Sequence, residues 1–425
     1  MDKQSFIEQT ISGIRSKETK RAVALELTQH LEKNISYYMR QGLTEAEAEK
    51  EAIRQMGDPV KLSKKMKKVH KPKIEWGMIA LFTTALCLGF FPLFALDQEN
   101  PLFITKIVAS LAGIVVLLVW MQFDYRKLHR YSWFFYCTAT VALFLVFGEG
   151  LLSARMVNGT YYLSMGPFKG DSTIVLPFYF LAWASFLSGS SLKWWKTAIL
   201  FILPLVLFLE ALSLVNAMIY TSMVLVMYGW SIRKKPKALA LLAGSLLLLA
   251  GGGGSVLWLT AKSYQLGRVP SFLYPEESYF YTQLKKIISE AGLFGKTIDP
   301  SQFHLSVPEA QTDMVLVTTI YGLGWLFFLF LLLILMAFSV RVLWLIGKIK
   351  DSFGQFLLVG CFVLYTLPLV LNTGMTLGLL PYMGIFVPFI SYGTITILLY
   401  SFLTGVILSI YRLKDYPLKE KPVNE

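Results

Sequence analysis

From Trp76 onward the chain alternates apolar runs of about 18 to 25 residues with short polar joints, each run long enough to cross about 30 Å of hydrocarbon as a helix. Inside lipid every backbone N–H and C=O must be satisfied within its own segment, so this pattern confines the fold to a bundle of membrane helices. Ten spans are expected, near 76–96, 102–122, 131–151, 173–190, 195–213, 215–231, 237–261, 313–338, 353–371 and 388–411. Every even joint is basic: Arg126, Lys127 and Arg130; Lys193 and Lys196; Arg233, Lys234, Lys235 and Lys237; Arg341, Lys348 and Lys350; and Arg412 and Lys414 in the tail. Positive charge marks the cytoplasmic side, so both termini are expected there. The joints 152–172 and 262–312 and the Gly/Pro-rich stretch 372–388 then face outward.

Composition agrees. The 425 residues are 55% hydrophobic and only 16% charged, too apolar for a soluble domain. A net charge of +13 could serve nucleic acid, but the basic residues are grouped at the joints, and no nucleic-acid partner is expected. Cys87, Cys137 and Cys361 each fall inside a span, which leaves no disulfide framework or metal-ligand spacing and reads as small buried apolar residues. The hydrophilic N-terminus lacks the charged, apolar and small-residue order of a signal peptide.

Residues 1–72 read as a separate unit of four short helices, 3–14, 17–41, 44–56 and 58–69, punctuated by Gly42, Gly57 and Pro59. Thr44 with Glu47 forms a capping box ahead of the third. The run from Gln41 through Thr44-Glu-Ala-Glu-Ala-Glu to Met56-Gly-Asp-Pro59 resembles the small helical prefix domains that bacteria attach to permeases and membrane sensors, which implies a cytoplasmic regulatory module. The lysine-rich run Lys61 to Lys73 reads as a topological anchor attracted to anionic lipid.

Among the outer segments, Asn158-Gly and Gly166-Pro are turn pairs. Glu149 and Glu210, near outer span ends, either line a functional path or are hydrated at the interface. Lys106 is expected to snorkel to the surface. The run Gly251 to Gly254 permits close helix packing, and His304 reads as a loop residue. In 278–291, Phe280, Leu284, Ile287, Ile288 and Ala291 recur at helical spacing opposite Lys285, Lys286 and Glu290, as in a helix lying in the headgroup plane. The Gly-bounded turn Gly292-Leu-Phe-Gly-Lys296 follows, then Pro308-Glu-Ala-Gln-Thr-Asp313 ahead of an apolar run. Asp313 is placed either to cap that helix or to serve as a reactive carboxylate at the membrane lip. The last segment, Asn372 to Gly393, is apolar yet broken by glycines and by Pro381 and Pro388. Non-helical backbone at membrane depth survives only when buried in protein or lining a cavity, so it reads as re-entrant beside a site.

Arg268, Phe272, Pro275, Tyr279, Gln283, the Gly-Leu-Phe-Gly-Lys and Pro-Glu-Ala-Gln-Thr-Asp motifs and the Asn372 to Gly393 run together resemble the SEDS proteins (shape, elongation, division and sporulation), the FtsW, RodA and SpoVE group. The resemblance covers residues 75–415 and implies an all-α polytopic protein of a bacterial plasma membrane. It carries about ten spans, a large extracellular loop between spans 7 and 8, and the small cytoplasmic helical domain in front. It implies a peptidoglycan glycosyltransferase that polymerises lipid II outside the cell beside a class B penicillin-binding protein, with the essential acid at Asp313. Substrate contacts are expected from Arg268, Lys285, Lys286, Lys296, Glu309, Gln311, Asn372, Pro388, Ser391 and Tyr392. A divalent cation, Mg²⁺ or Mn²⁺, could bridge Asp313 to the phosphates. Departures from the family pattern are Gln311 in place of histidine, Tyr161-Tyr162 in place of a basic pair, and Thr394, Ile395 and Thr396 in the closing motif. They point to a divergent member. A lipid II flippase and a non-catalytic scaffold recruiting the penicillin-binding protein are the alternatives.

Overall fold

The computed structural model describes residues 2–13, 17–69, 73–96, 102–147, 154–157, 160–165, 168–189, 193–233, 272–299, 303 and 306–415. The expected span 237–261 with its glycine run, and Glu149, Asn158, Arg268 and His304, lie outside them. The chain divides into two compact units, Met1–Ile74 with Arg412–Glu425, and Glu75–Tyr411.

The first unit holds α1 (Lys3–Ile11), α2 (Lys17–Arg40), α3 (Glu45–Met56) and α4 (Pro59–Val69). Their apolar faces bury Phe6, Leu31 and Ala52 in one cluster and Val23 and Leu27 in another. The capping box forms: Glu47 Oε2 accepts from Thr44 N at 3.1 Å and from Thr44 Oγ1 at 2.7 Å. Those two donors favour the charged carboxylate and hold Glu47 below its ordinary pKa. Gly57 ends α3 at φ 80, backbone that favours glycine.

The second unit is a multispanning helical membrane domain. Among the described residues its helices are α5 (Trp76–Leu88), α6 (Phe91–Leu96), α7 (Leu102–Gln122), α8 (Ser132–Phe147), α9 (Leu176–Ser188), α10 (Trp194–Glu210), α11 (Leu214–Ile232), α12 (Tyr279–Glu290), α13 (Val315–Ile346), α14 (Ser352–Thr376) and α15 (Thr394–Leu413). Among the described residues six segments are long and apolar enough to cross a membrane: α5 with α6, then α7, α11, α13, α14 and α15. The shorter α8, α9 and α10 lie over three further expected spans. Helix α14 is central, packed against α9, α11 and α13. Its Gly360 makes the contact with α9 possible, because a methyl there would lie 2.6 Å from the Phe180 ring.

Four features depart from the sequence reading. The 152–172 joint carries three short antiparallel strands, β1 (Ala154–Val157), β2 (Thr160–Met165) and β3 (Phe168–Gly170), registered Val157↔Thr160 and Met165↔Phe168. Those registers leave two residues between strands, where the sequence has its Asn-Gly and Gly-Pro turn pairs. Cys87 and Cys137 are exposed on their helices, and only Cys361 is buried. Helix α13 is interrupted at Gly324, with φ 88 and ψ 168. Lys106 does not snorkel: it is 1% exposed, and its ammonium donates to the carbonyls of Gly89 and Ile390, both at 2.5 Å.

Candidate functional site

The Pro-Glu-Ala-Gln-Thr-Asp motif builds the turn that starts α13. Glu309 takes φ 54, and its carbonyl accepts the N–H groups of Thr312 and Met314, each at 3.1 Å. Its carboxylate accepts from Thr312 Oγ1 at 2.8 Å, and Thr318 Oγ1 donates back to the Ala310 carbonyl at 2.7 Å. The residue at the N-cap is Met314, with no side-chain cap bond. Asp313 therefore does not cap the helix. Its side chain turns toward Tyr382, whose phenol donates to Oδ2 at 3.2 Å, and the residue is 9% exposed.

The segment 372–392 grips three consecutive motif residues. Tyr392 N donates to the Gln311 carbonyl at 2.9 Å, Ser391 Oγ to the Thr312 carbonyl at 2.7 Å, and Asn372 Nδ2 to the Asp313 carbonyl at 2.7 Å. Ser391 Oγ also accepts Val387 N at 2.7 Å, and Asn372 Nδ2 also reaches the Ile385 carbonyl at 2.5 Å. After α14 ends at Thr376 the stretch is non-helical, exposed at Leu377–Leu379 and buried at Val387–Ser391, as its glycines and prolines allow. Buried Phe389 sits at φ 65. Left-handed backbone at a non-glycine residue costs about 1–3 kcal/mol and persists only where surroundings over-determine it. Here they do: Lys106 holds the Ile390 carbonyl from α7, and Gly89 lets the Phe389 carbonyl approach to where a Cβ would be 2.6 Å away. Gly384 abuts the acid, since a Cβ there would lie 3.2 Å from Asp313 Oδ2.

Gly384 also borders a small cleft of about 40 Å³ lined by Asp171, Thr173, Asn216, Thr396 and Tyr400. Asp171 caps the short helix Ser172–Val175, accepting from Thr173 N at 3.2 Å and Thr173 Oγ1 at 2.9 Å. Asn216 Nδ2 donates to Asp171 Oδ2 at 3.3 Å and to Ser172 Oγ at 2.8 Å. Burial pushes the Asp171 carboxyl above its ordinary value, against these bonds. Asp171, Asn216 and Tyr382 were missed by the motif reading. Asn216 was the most visible of them, an amide inside an apolar run.

The remaining expected residues divide. Asn372, Ser391 and Pro388 are buried, and the first two spend their donors on backbone, so they position the acid rather than face a ligand. Gln311 and Tyr392 are half-buried and joined through backbone, and Glu309 is exposed. Lys285, Lys286 and Lys296 are exposed on or after α12. The apolar face of α12 does not meet headgroups. Leu284 and Ile287 pack with Met314, Val317 and Met375, and Tyr281 OH accepts Tyr382 N at 2.8 Å. Among the described residues no three His, Cys, Asp or Glu side chains gather to hold a cation.

Comparison with known proteins places this geometry in context. The family model FTSW_RODA_SPOVE, described as "Cell cycle protein", matches residues 76–416. Stage V sporulation protein E of Bacillus subtilis is 32% identical over 178 residues, 40% of this chain and 48% of that protein. Peptidoglycan glycosyltransferase MrdB of Escherichia coli K12 is 29% identical over 178 residues, again 40% of this chain and 48% of the relative. The chain thus spans about half the length of these curated relatives. A solved chain from "Structural coordination of polymerization and crosslinking by a peptidoglycan synthase complex" shares the fold with TM-score 0.67 and 22% identity, covering 80% of this chain and 98% of its own. The resemblance read from the motifs holds, and the chain belongs to the FtsW, RodA and SpoVE family of cell cycle proteins.

Proposed function

We propose that this protein is a peptidoglycan glycosyltransferase that polymerises lipid II at the outer face of a bacterial plasma membrane, with ten spans, cytoplasmic termini and a class B penicillin-binding protein as partner. The observation that carries the reading is Asp313, held through its own carbonyl and those of the two preceding residues, with its carboxylate beside Tyr382 and Gly384. The names of the relatives support it. In the reaction the 4-hydroxyl of one lipid-linked disaccharide attacks the anomeric carbon of a glycan on a second lipid carrier. The new C–O bond forms as the bond to the pyrophosphate breaks. A sugar hydroxyl is a weak nucleophile at neutral pH, so Asp313 takes its proton as attack proceeds, a contribution of about 10²- to 10⁴-fold. The pyrophosphate leaves with the bonding pair, and Lys285, Lys286, Lys296 and Arg268 are the cations proposed to meet its charge. Gel analysis of glycan made from purified lipid II tests this: Asp313→Asn should abolish polymer while the protein elutes and melts as wild type. Full-length product from that variant would remove the assignment and leave a scaffold or transporter.

A further inference from the structure

Helix α13 is 32 residues long, about 48 Å at about 1.5 Å per residue, whereas a span has to cross only about 30 Å of hydrocarbon. Two features divide it. Arg341 pairs with Glu75, which is 5% exposed at the start of α5. At the other end, Gly324 breaks the helix. The seventeen residue steps from Gly324 to Arg341 make about 26 Å, close to one hydrocarbon thickness. Exposed apolar side chains of α13 begin only after the break, with Leu326, Leu329, Phe330 and Leu333, and continue to Leu343 and Trp344 just past Arg341; Phe91 and Phe94 are exposed on the neighbouring α6. Before the break, Val315 to Ile320 are all buried. The membrane edge therefore falls at Gly324.

The Gly292-Leu-Phe-Gly-Lys296 turn is stitched into that break. The interruption frees the N–H groups of Trp325 and Leu326, which donate to the carbonyls of Gly292 and Leu293 at 3.2 Å each, while Lys296 N donates to the Tyr321 carbonyl at 2.8 Å. The two backbones touch so closely that a Cβ on Gly324 would lie 2.2 Å from the Leu293 carbonyl oxygen. Gly295 and Gly324, at φ 79 and 88, are the residues that permit it. What the stitched turn presents outward is apolar: Leu293 is 61% exposed and Phe294 82%. They lie level with the exposed belt of α6 and α13 and continue it.

We propose that Leu293 and Phe294 form a wedge that enters the acyl region of the bilayer at the break in α13, and so sets the height of Asp313 above the hydrocarbon. The lipid contact expected of α12 is made by this turn instead, because the apolar face of α12 is occupied by protein. Leu and Phe buried at the acyl boundary with a basic residue on the polar side, here Lys296, is the composition of interfacial segments. The ten residues from Met314 to the break rise at most about 15 Å. On the glycosyltransferase reading, the acid then meets a sugar carried on a pyrophosphate rather than the lipid tail. The wedge itself does not depend on that reading.

The test is nitroxide labelling of Phe294→Cys in the full chain, with Cys87 and Cys137 replaced by alanine and buried Cys361 retained. The protein is reconstituted in phosphatidylethanolamine and phosphatidylglycerol vesicles. Power saturation should show oxygen access above nickel-chelate access, with the same sign as a label at Leu329→Cys and the opposite sign to one at Tyr279→Cys, which is 72% exposed on α12. Leu293→Cys gives the same readout if the first variant misfolds. Nickel-chelate access like that of Tyr279→Cys would overturn the proposal, and so would shielding from both reagents, which would mean that protein covers the turn.

Discussion

Lys106 shows how far a single residue's role depends on its surroundings. From the sequence it was a lysine near a helix end and was assigned to water. In the fold its ammonium is enclosed and holds two carbonyls that belong to Gly89 and, 284 residues away, Ile390. Lys106→Met keeps the apolar stem and leaves both carbonyls without that donor, each costing about 1–3 kcal/mol. A fall in melting temperature in detergent is expected, because the strained Phe389 backbone loses its support. A wild-type melt would show that water replaces the ammonium. Asp171 predicts the opposite sign. Folding raises its pKa by burial, so the native state holds the proton more tightly than the unfolded chain. Stability is lost as pH rises from the ordinary value of 3.8 through the raised one, and that cost is constant above it. Asp171→Asn should therefore melt above wild type at pH 7, with the gap closing as the solution is acidified. A less stable variant at pH 7 would mean that the bonds from Thr173 and Asn216 outweigh the burial.

At the scale of elements, the informative case is the long helix α13. Its apolar run was plain in the sequence, and so was the Gly-bounded turn before it, but nothing local said that one fits into the other. Gly322-Leu-Gly324 inside an apolar run could as well have been packing glycines. The break became necessary only because the turn's carbonyls meet N–H groups that an unbroken helix would have kept. Gly324→Ala places a methyl at 2.2 Å from the Leu293 carbonyl oxygen at φ 88, and where the native backbone is incompatible the loss exceeds about 1 kcal/mol. Limited trypsinolysis should then cut faster after Lys285, Lys286 or Lys296. Unchanged cleavage would indicate that the helix straightens without releasing the turn. Helix α12 carries a related lesson. Its amphipathic spacing was legible, but periodicity identifies an apolar face without identifying what covers it, and here that is Met314 and Val317 rather than headgroups.

The whole molecule is two units, each with its own buried residues. The clusters around Phe6, Leu31 and Val23 lie wholly within the first. Removing residues 1–72 should leave the melting temperature of the remaining membrane domain within a few degrees. A truncated chain that aggregates on gel filtration would show that the membrane domain needs the first unit to fold. By itself the sequence determined the four short helices with their capping box and the membrane bundle. Those depend on hydrophobic period, run length and turn residues, which act over one or two helical turns. Only the tertiary structure decided that residues 311–313 are gripped by 372–392, that a buried lysine braces that grip, and that Asp171 joins the neighbouring cleft. Each of those contacts pairs groups tens to hundreds of residues apart, and no local pattern records which buried donor will find which carbonyl once the helices pack.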